Sequence, residues 1–363
     1  MKKSMFGALA ILLVWALLTA GAWLLPANDI SEAERRPLNQ MPEITADSIL
    51  EGDFMTDFES YTLDQFPLRD GFRQVKALFH YYALQQQDNN DIYVTDGYLV
   101  KQEAPLKESS VEHALNRFNA VYEQYLQNSS VYMTVVPDKG YYLAESSGHL
   151  TMDYEKLFAM MEQGMPWATH IDLTGSLTAD SYYRLDTHWR QEALLPAAGL
   201  ICDAMGVTAP KAEDFTATAV DRPFYGVYYG QAALPMEPDT MYLMESELLA
   251  DCTVTVHDDN ATAAVYDLPK LDNRDPYDVF LSGSKSLLTI ENTNGPPGKE
   301  LIVFRDSFGS SVVPLLLADY ETVTVIDIRY IQIAMLDRFV DFHGQDVLFL
   351  YSTLVLNNSE TIK

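Results

Sequence analysis

Three apolar runs near the C-terminus, Leu301 to Phe304, Thr322 to Ile328 and Val347 to Tyr351, alternate with helical stretches near Gly309 to Ala318 and Ile331 to Phe339. Continuous apolar strands separated by helices bury both faces of a parallel sheet, so this β-α-β-α-β succession predicts an α/β fold. A further run, Val131 to Val136, follows a helical stretch from about Ser110 to Gln127 and ends at Pro137-Asp138-Lys139. Ile171-Asp172-Leu173 is a shorter candidate strand. Ile92-Tyr93-Val94 and Tyr98-Leu99-Val100 flank Thr95-Asp96-Gly97, the signature of a hairpin with an Asp-Gly turn. Residues from about 207 to 297 are rich in turn residues and lack long helical periodicity, and are expected to form a β-rich insertion.

At the other end, Met1-Lys2-Lys3 precedes a 21-residue uncharged run from Met5 to Leu25. At about 1.5 Å per helical residue that is enough to cross a hydrocarbon core of roughly 30 Å. Lysines before it and Asp29, Glu32 and Glu34 after it predict a single-pass anchor with the body outside the cytoplasm. The rival is a signal peptide cut near Thr19-Ala20-Gly21-Ala22, which would release the body as a secreted protein. Residues 1–28 are therefore read as anchor or signal segment and 29–90 as a helical juxtamembrane region, interrupted at Phe66-Pro67-Leu68-Arg69-Asp70. Residues 91–363 are read as the main domain. A net charge of −28 without a basic stripe argues against nucleic-acid binding. Cys202 and Cys252 are the two cysteines; a single pair is not a disulfide framework.

Two distant segments carry chemistry. In Leu301-Ile302-Val303-Phe304-Arg305-Asp306-Ser307-Phe308-Gly309 a serine falls where a strand gives way to a helix, the edge at which α/β proteins bind ligands. Taken alone, Asp306 or Ser307 reads as a helix cap. Asp186-Thr187-His188-Trp189 adds a carboxylate and an imidazole two residues apart, with a bulky tryptophan as anchor. Acyl transfer at neutral pH needs an alcohol, a base for its proton and a carboxylate to orient that base. Ser307, His188 and Asp186 supply the three types.

These segments resemble the DHHW proteins and the related alginate O-acetylation proteins of the SGNH-hydrolase-like superfamily. Ser31-Glu32-Ala33-Glu34-Arg35-Arg36-Pro37-Leu38, Val136-Pro137-Asp138-Lys139, Tyr277-Asp278-Val279-Phe280-Leu281-Ser282-Gly283 and Leu348-Phe349-Leu350-Tyr351-Ser352 fit the same pattern. The resemblance implies a flavodoxin-like three-layer domain, circularly permuted so that the Asp-x-His element precedes the serine. It implies Ser307 as nucleophile, His188 as base and Asp186 as orienting acid; no cofactor or metal is expected. It further implies a polysaccharide substrate whose acetyl groups are moved or removed, often beside a multi-pass membrane O-acyltransferase. Gly283, Arg329, Tyr330 and Ser352 are the candidates for oxyanion or substrate contacts, and the backbone N–H of Ser307 is the favoured donor. Two departures stand out: Arg305 replaces the glycine of the superfamily's Gly-Asp-Ser, and Thr187 replaces the first histidine of the motif.

Two other function classes compete. A non-catalytic polysaccharide-binding scaffold on the same fold would use aromatics such as Tyr225, Tyr228 and Tyr229 to stack on sugar rings. A metal-dependent hydrolase would draw on Asp186, His188 and His257-Asp258-Asp259, though no standard metal spacing is present.

Overall fold

The computed structural model describes residues 2–31 and 33–363; Met1, and Glu32 of the Ser31-to-Leu38 motif, lie outside the described residues. The chain divides into two compact units, Met1–Asn90 with Tyr229–Met236, and Asp91–Tyr228 with Glu237–Lys363.

The first unit is helical. Helix α1 (Lys2–Leu24) contains the apolar stretch Met5–Leu24, long and apolar enough to cross a membrane and with none of it buried in the protein. Asp53–Asp64 (α2) and Arg69–Leu78 (α3) follow, separated by the Phe66-Pro67 break. A proline cannot continue a helix's hydrogen-bond ladder, so the interruption falls where the sequence places it. Charges hold the unit together. Arg36 reaches Asp64 with two bonds of 2.9 and 2.6 Å, and Glu34 meets Arg69 at 2.5 Å and Arg73 at 3.1 Å. The paired guanidinium of Arg36 holds the Asp64 carboxyl well below the usual carboxylate range.

The second unit is built on an eight-stranded sheet: β1 (Ser130–Val136), β2 (Thr169–Ile171), β3 (Thr253–Val256), β4 (Ala261–Ala263), β5 (Leu287–Glu291), β6 (Glu300–Arg305), β7 (Thr322–Ile326) and β8 (Asp346–Ser352), in the order β4-β3-β5-β7-β6-β8-β1-β2. From β7 through β2 every neighbouring pair is parallel, whereas β5, β3 and β4 add antiparallel to the β7 edge. Successive side chains leave opposite faces and enter two separate cores. Val303, Leu348 and Leu350 pack on one side with the helix Leu195–Met205 (α7), and Phe304, Phe349 and Val347 pack on the other with Glu108–Val121 (α4) and Tyr154–Gly164 (α6). The result is three layers, helices on both faces of a mostly parallel sheet. Phe304 and Phe349 stack at 4.7 Å in the middle of one core, where truncation of either to alanine would cost about 3–5 kcal/mol. Gly140–Ser147 (α5) follows β1 directly.

Two sequence expectations need correction. The stretch after Ser307 is a short α-turn, Gly309–Val312, running into a 3₁₀ turn with Pro314, because the proline removes a donor from the ladder. Ile333–Arg338 is likewise 3₁₀. After the Asp186-to-Trp189 segment the next α-helix begins at Leu195, and Trp189 is bridged to Tyr182. The 207–297 segment is rich in strands, and within it β3, β4 and β5 extend the main sheet while Tyr229–Met236 groups with the first unit. Both cysteines are buried and free, in the same core.

Candidate active site

Ser307 lies two residues past Arg305, the last residue of β6, at the carboxyl edge of the parallel strands. Asp306, with no exposed surface, fixes the turn. Its Oδ1 accepts from the N–H of Phe308 at 3.0 Å, and its Oδ2 accepts from the N–H and hydroxyl of Ser352 at 2.7 and 2.6 Å. A buried carboxylate with three donors is satisfied, and it ties the ends of β6 and β8 together. Ser307 itself is left partly exposed.

Asp186 and His188 sit in a loop closed by the Tyr182–Trp189 bridge. The i to i+2 spacing gives an Asx-type turn: Asp186 Oδ1 accepts from the backbone N–H of His188 at 3.0 Å. The same oxygen is 2.6 Å from His188 Nδ1, and His188 Nε2 is 2.9 Å from Ser307 Oγ. The second carboxylate oxygen, Oδ2, accepts from the N–H of Val227 at 2.7 Å. Asp186 is wholly buried and His188 is 7% exposed, so these bonds lie largely out of water, where they are stronger. The three residues are therefore in one hydrogen-bonded chain.

The neighbouring tryptophan is the tie between the two segments. Trp189 Nε1 donates to the carbonyl of Phe308 at 3.0 Å and to Ser311 Oγ at 2.9 Å. Gln191 donates to the carbonyl of Ser311 at 2.9 Å and accepts from the N–H of Met244 and the hydroxyl of Tyr266. From outside the loop, the buried ammonium of Lys139 donates to the carbonyls of Tyr183 and Arg184 at 2.8 and 3.1 Å, and Asp239 accepts from the N–H of Leu185 at 2.9 Å. Burial pushes Lys139 down to about 7, against the opposing pull of Asp186, Asp239 and Asp138.

The secondary candidates are placed differently from one another. Ser352 is fully buried and its hydroxyl is committed to Asp306, so it supports the turn from behind. The carbonyl of Gly283 accepts from Arg305 Nη2 at 3.0 Å, while its N–H donates to the carbonyl of Phe280. Arg305, which replaces the superfamily's glycine, is wholly buried and faces Asp327 at 4.0 Å. Burial lowers its affinity for the proton. Gly309 gives its aliphatic stem room, since a Cβ there would crowd Arg305. Arg329 is held by both oxygens of Asp327 at 2.9 and 2.7 Å, and Tyr330 is 49% exposed with the Arg329 guanidinium 5.4 Å from its ring.

Of the aromatics proposed to stack on sugars, Tyr225 is exposed, whereas Tyr228 is buried with its hydroxyl on Thr187 Oγ1 at 3.1 Å and Tyr229 is half-buried. Burial opposes ionisation of the Tyr228 phenol. His257, Asp258 and Asp259 lie around the turn joining β3 to β4 and bond Thr289, the N–H of Ser286 and Lys285. No group of three or more His, Cys, Asp or Glu placed to hold a metal ion occurs among the described residues. Sequence reasoning missed Tyr277 as a neighbour of His188, and the 226–227 backbone as a partner of Asp186. Neither contact has a local signal in the sequence.

Comparison with known proteins matches this architecture to others. A family model described as DHHW protein matches residues 157–326. A DHHW family protein from Eubacterium siraeum DSM 15702 superposes with a TM-score of 0.60 at 22% identity, covering 76% of this chain and 95% of that one. Bacillus cereus PatB1 superposes with a TM-score of 0.60 at 18% identity over 75% of this chain and 98% of that one, and has also been solved with a sulfonyl adduct. The O-acetyltransferase domain of Pseudomonas putida AlgJ aligns at a TM-score of 0.41 and 15% identity, over 69% of this chain and 84% of that one, too weakly to bear on the fold. Curated proteins give no significant match. At these identities the structural likeness is one of fold. The match of residues 157–326 to the DHHW family model, and the shared fold, agree with the resemblance in the motifs.

Proposed function

We propose that this protein is a membrane-anchored, extracytoplasmic serine esterase or O-acetyltransferase acting on acetyl groups of a polysaccharide. The observation that carries the reading is the hydrogen-bonded path from Asp186 Oδ1 through His188 to Ser307 Oγ, at 2.6 and 2.9 Å. In this reading Ser307 Oγ attacks the ester carbonyl carbon and its proton passes to His188 Nε2, while the Asp186 carboxylate keeps the proton on Nδ1 and stabilises the imidazolium that forms. Collapse of the tetrahedral intermediate breaks the bond to the sugar oxygen, which takes the proton from Nε2 and leaves Ser307 acylated. Water, or a hydroxyl of a second sugar, then gives its proton to the same nitrogen and attacks the acyl carbon; collapse breaks the bond to Ser307 Oγ, which takes the proton back from Nε2. The backbone N–H of Ser307 is the proposed donor to the oxyanion. The partial exposure of Ser307 supports a substrate presented from outside, as an acetyl group on a polymer must be.

Anchoring is proposed on the apolar stretch Met5–Leu24, with Lys2 and Lys3 before it and Asp29 and Glu34 after it. Release of acetate from an acetylated polysaccharide by the full chain in detergent, beside its Ser307→Ala variant, tests the reading. The wild-type protein should release acetate and label with a sulfonyl fluoride at Ser307. Equal release by the variant would remove the serine mechanism, and sugar binding without release by either would favour a scaffold.

A further inference from the structure

Helix α3 is amphipathic with its faces reversed. Its arginines point into the protein: the side chains of Arg69 and Arg73 are 17% and 18% exposed, both meet Glu34, and Arg73 also donates to the carbonyl of Gly230 at 2.8 Å. Its large apolar residues point out. Phe72 is 48% exposed, Val75 65% and Phe79 54%, with Leu68 before them and Tyr82 after them 78% and 77% exposed. At 100° per residue positions 72, 75 and 79 fall on a single stripe, so this is one continuous face. A surface helix in water shows the opposite arrangement.

From this arrangement we infer that the outward stripe of α3 is a lipid-contacting face that lies in the headgroup and acyl boundary of the membrane entered by α1. The inference rests on the anchor reading above. Two observations choose lipid as the occupant. The Met5–Leu24 stretch, in the same unit, is apolar and has no buried residue, with only Leu18, Gly21 and Ala22 partly covered. Pro67, two residues before α3, packs on Gly21 in the last turns of that stretch, close enough that a Cβ on Gly21 would lie 3.0 Å from the proline ring. The helix therefore starts at the depth where the span leaves the hydrocarbon. Phenylalanine and tyrosine on such a helix suit the interface, and exposed Lys76 beside the stripe can extend its ammonium to lipid phosphates.

The test uses the full chain in phosphatidylcholine–phosphatidylglycerol vesicles, with Val75→Cys carrying an environment-sensitive fluorophore. Position 75 is exposed, so the label displaces no packing, and the parent protein with buried Cys202 and Cys252 sets the background. A lipid-borne quencher should reduce emission several-fold and aqueous iodide should have little effect, with the reverse at an exposed position of the second unit such as Glu213. A vesicle preparation that resists carbonate extraction yet leaves the probe open to iodide would overturn the lipid face and spare the anchor. Release of the chain by carbonate would remove both. Shielding that grows with protein-to-lipid ratio would assign the stripe to a second copy of the chain and overturn the proposal.

Discussion

Tyr277 lies flat against His188, ring centroids 3.8 Å apart and planes 7° from parallel, and its hydroxyl donates to Ser311 Oγ at 2.8 Å. One side chain thus supports the imidazole from its face and reaches the turn that follows Ser307. In the proposed reaction the imidazole becomes cationic, and the ring face is attractive to a cation by about 0.5–2 kcal/mol. Tyr277→Leu should therefore lower kcat on a small ester by roughly 3- to 30-fold with KM little changed. Tyr277→Phe keeps the face and loses one hydrogen bond, so its loss should be smaller. A rise in KM alone for the leucine variant would show that Tyr277 acts on binding instead.

Because every proton transfer by His188 in this mechanism serves the formation or breakdown of the Ser307 acyl ester, the two should fail as a unit. Ser307→Ala and His188→Ala should each lower ester turnover by roughly four orders of magnitude or more, and the double variant should lose little beyond either. Steady-state rates for the three proteins decide it. Additive losses would mean that the two residues work independently.

The parallel sheet was legible because β6 and β8 are near-continuous apolar runs and β1 and β7 are rich in β-branched and apolar residues, as strands covered on both faces are. Asp186, His188 and Ser307 were legible as residue types in suitable settings. Their contact was not, since a separation of 119 residues between His188 and Ser307 is closed only by tertiary packing. The short strands of the 207–297 stretch were legible as β-rich, but the pairing of β5 with β7, which adds β3, β4 and β5 to the main sheet, has no local signal. What misled was local. Tyr228 sits among exposed-looking neighbours in sequence, but its hydroxyl finds Thr187 and its ring is buried. Ser352 was placed at the correct strand end, and its rotamer, directed at Asp306, was beyond the reach of sequence.

Gly226 is the closest-packed position against the acid. A Cβ there would overlap the Cα and Cβ of Asp186 and the carbonyl oxygen of Leu185, and two of those three atoms are backbone. Overpacking of this kind costs roughly 1–3 kcal/mol, and here relief comes only by moving the loop that carries Asp186. Gly226→Ala should lower Tm by several degrees and reduce turnover disproportionately, by about 100-fold. Full activity in a folded Gly226→Ala protein would show that the Asp186 loop tolerates displacement.

Lys139 should make stability depend on pH in a sense opposite to that of a lysine whose proton is held by an ion pair. Burial holds the folded group at about 7, with Asp186, Asp239 and Asp138 drawing it upward, whereas an unfolded lysine titrates near 10.4. Between those values the unfolded chain binds more protons than the folded one, so unfolding free energy rises with pH through this window. Below about pH 7 both states hold the proton and the contribution is lost; above about 10.4 both have released it. From pH 7 to pH 9 the gain should be on the order of 2 kcal/mol. Lys139→Met removes the titrating group, and it also leaves the carbonyls of Tyr183 and Arg184 without their donor. The variant should thus be less stable at pH 9 and should lack the rise. Urea midpoints of both proteins at pH 6, 7, 8 and 9 measure the difference, and parallel curves would show that Lys139 keeps an ordinary affinity for its proton in the folded chain.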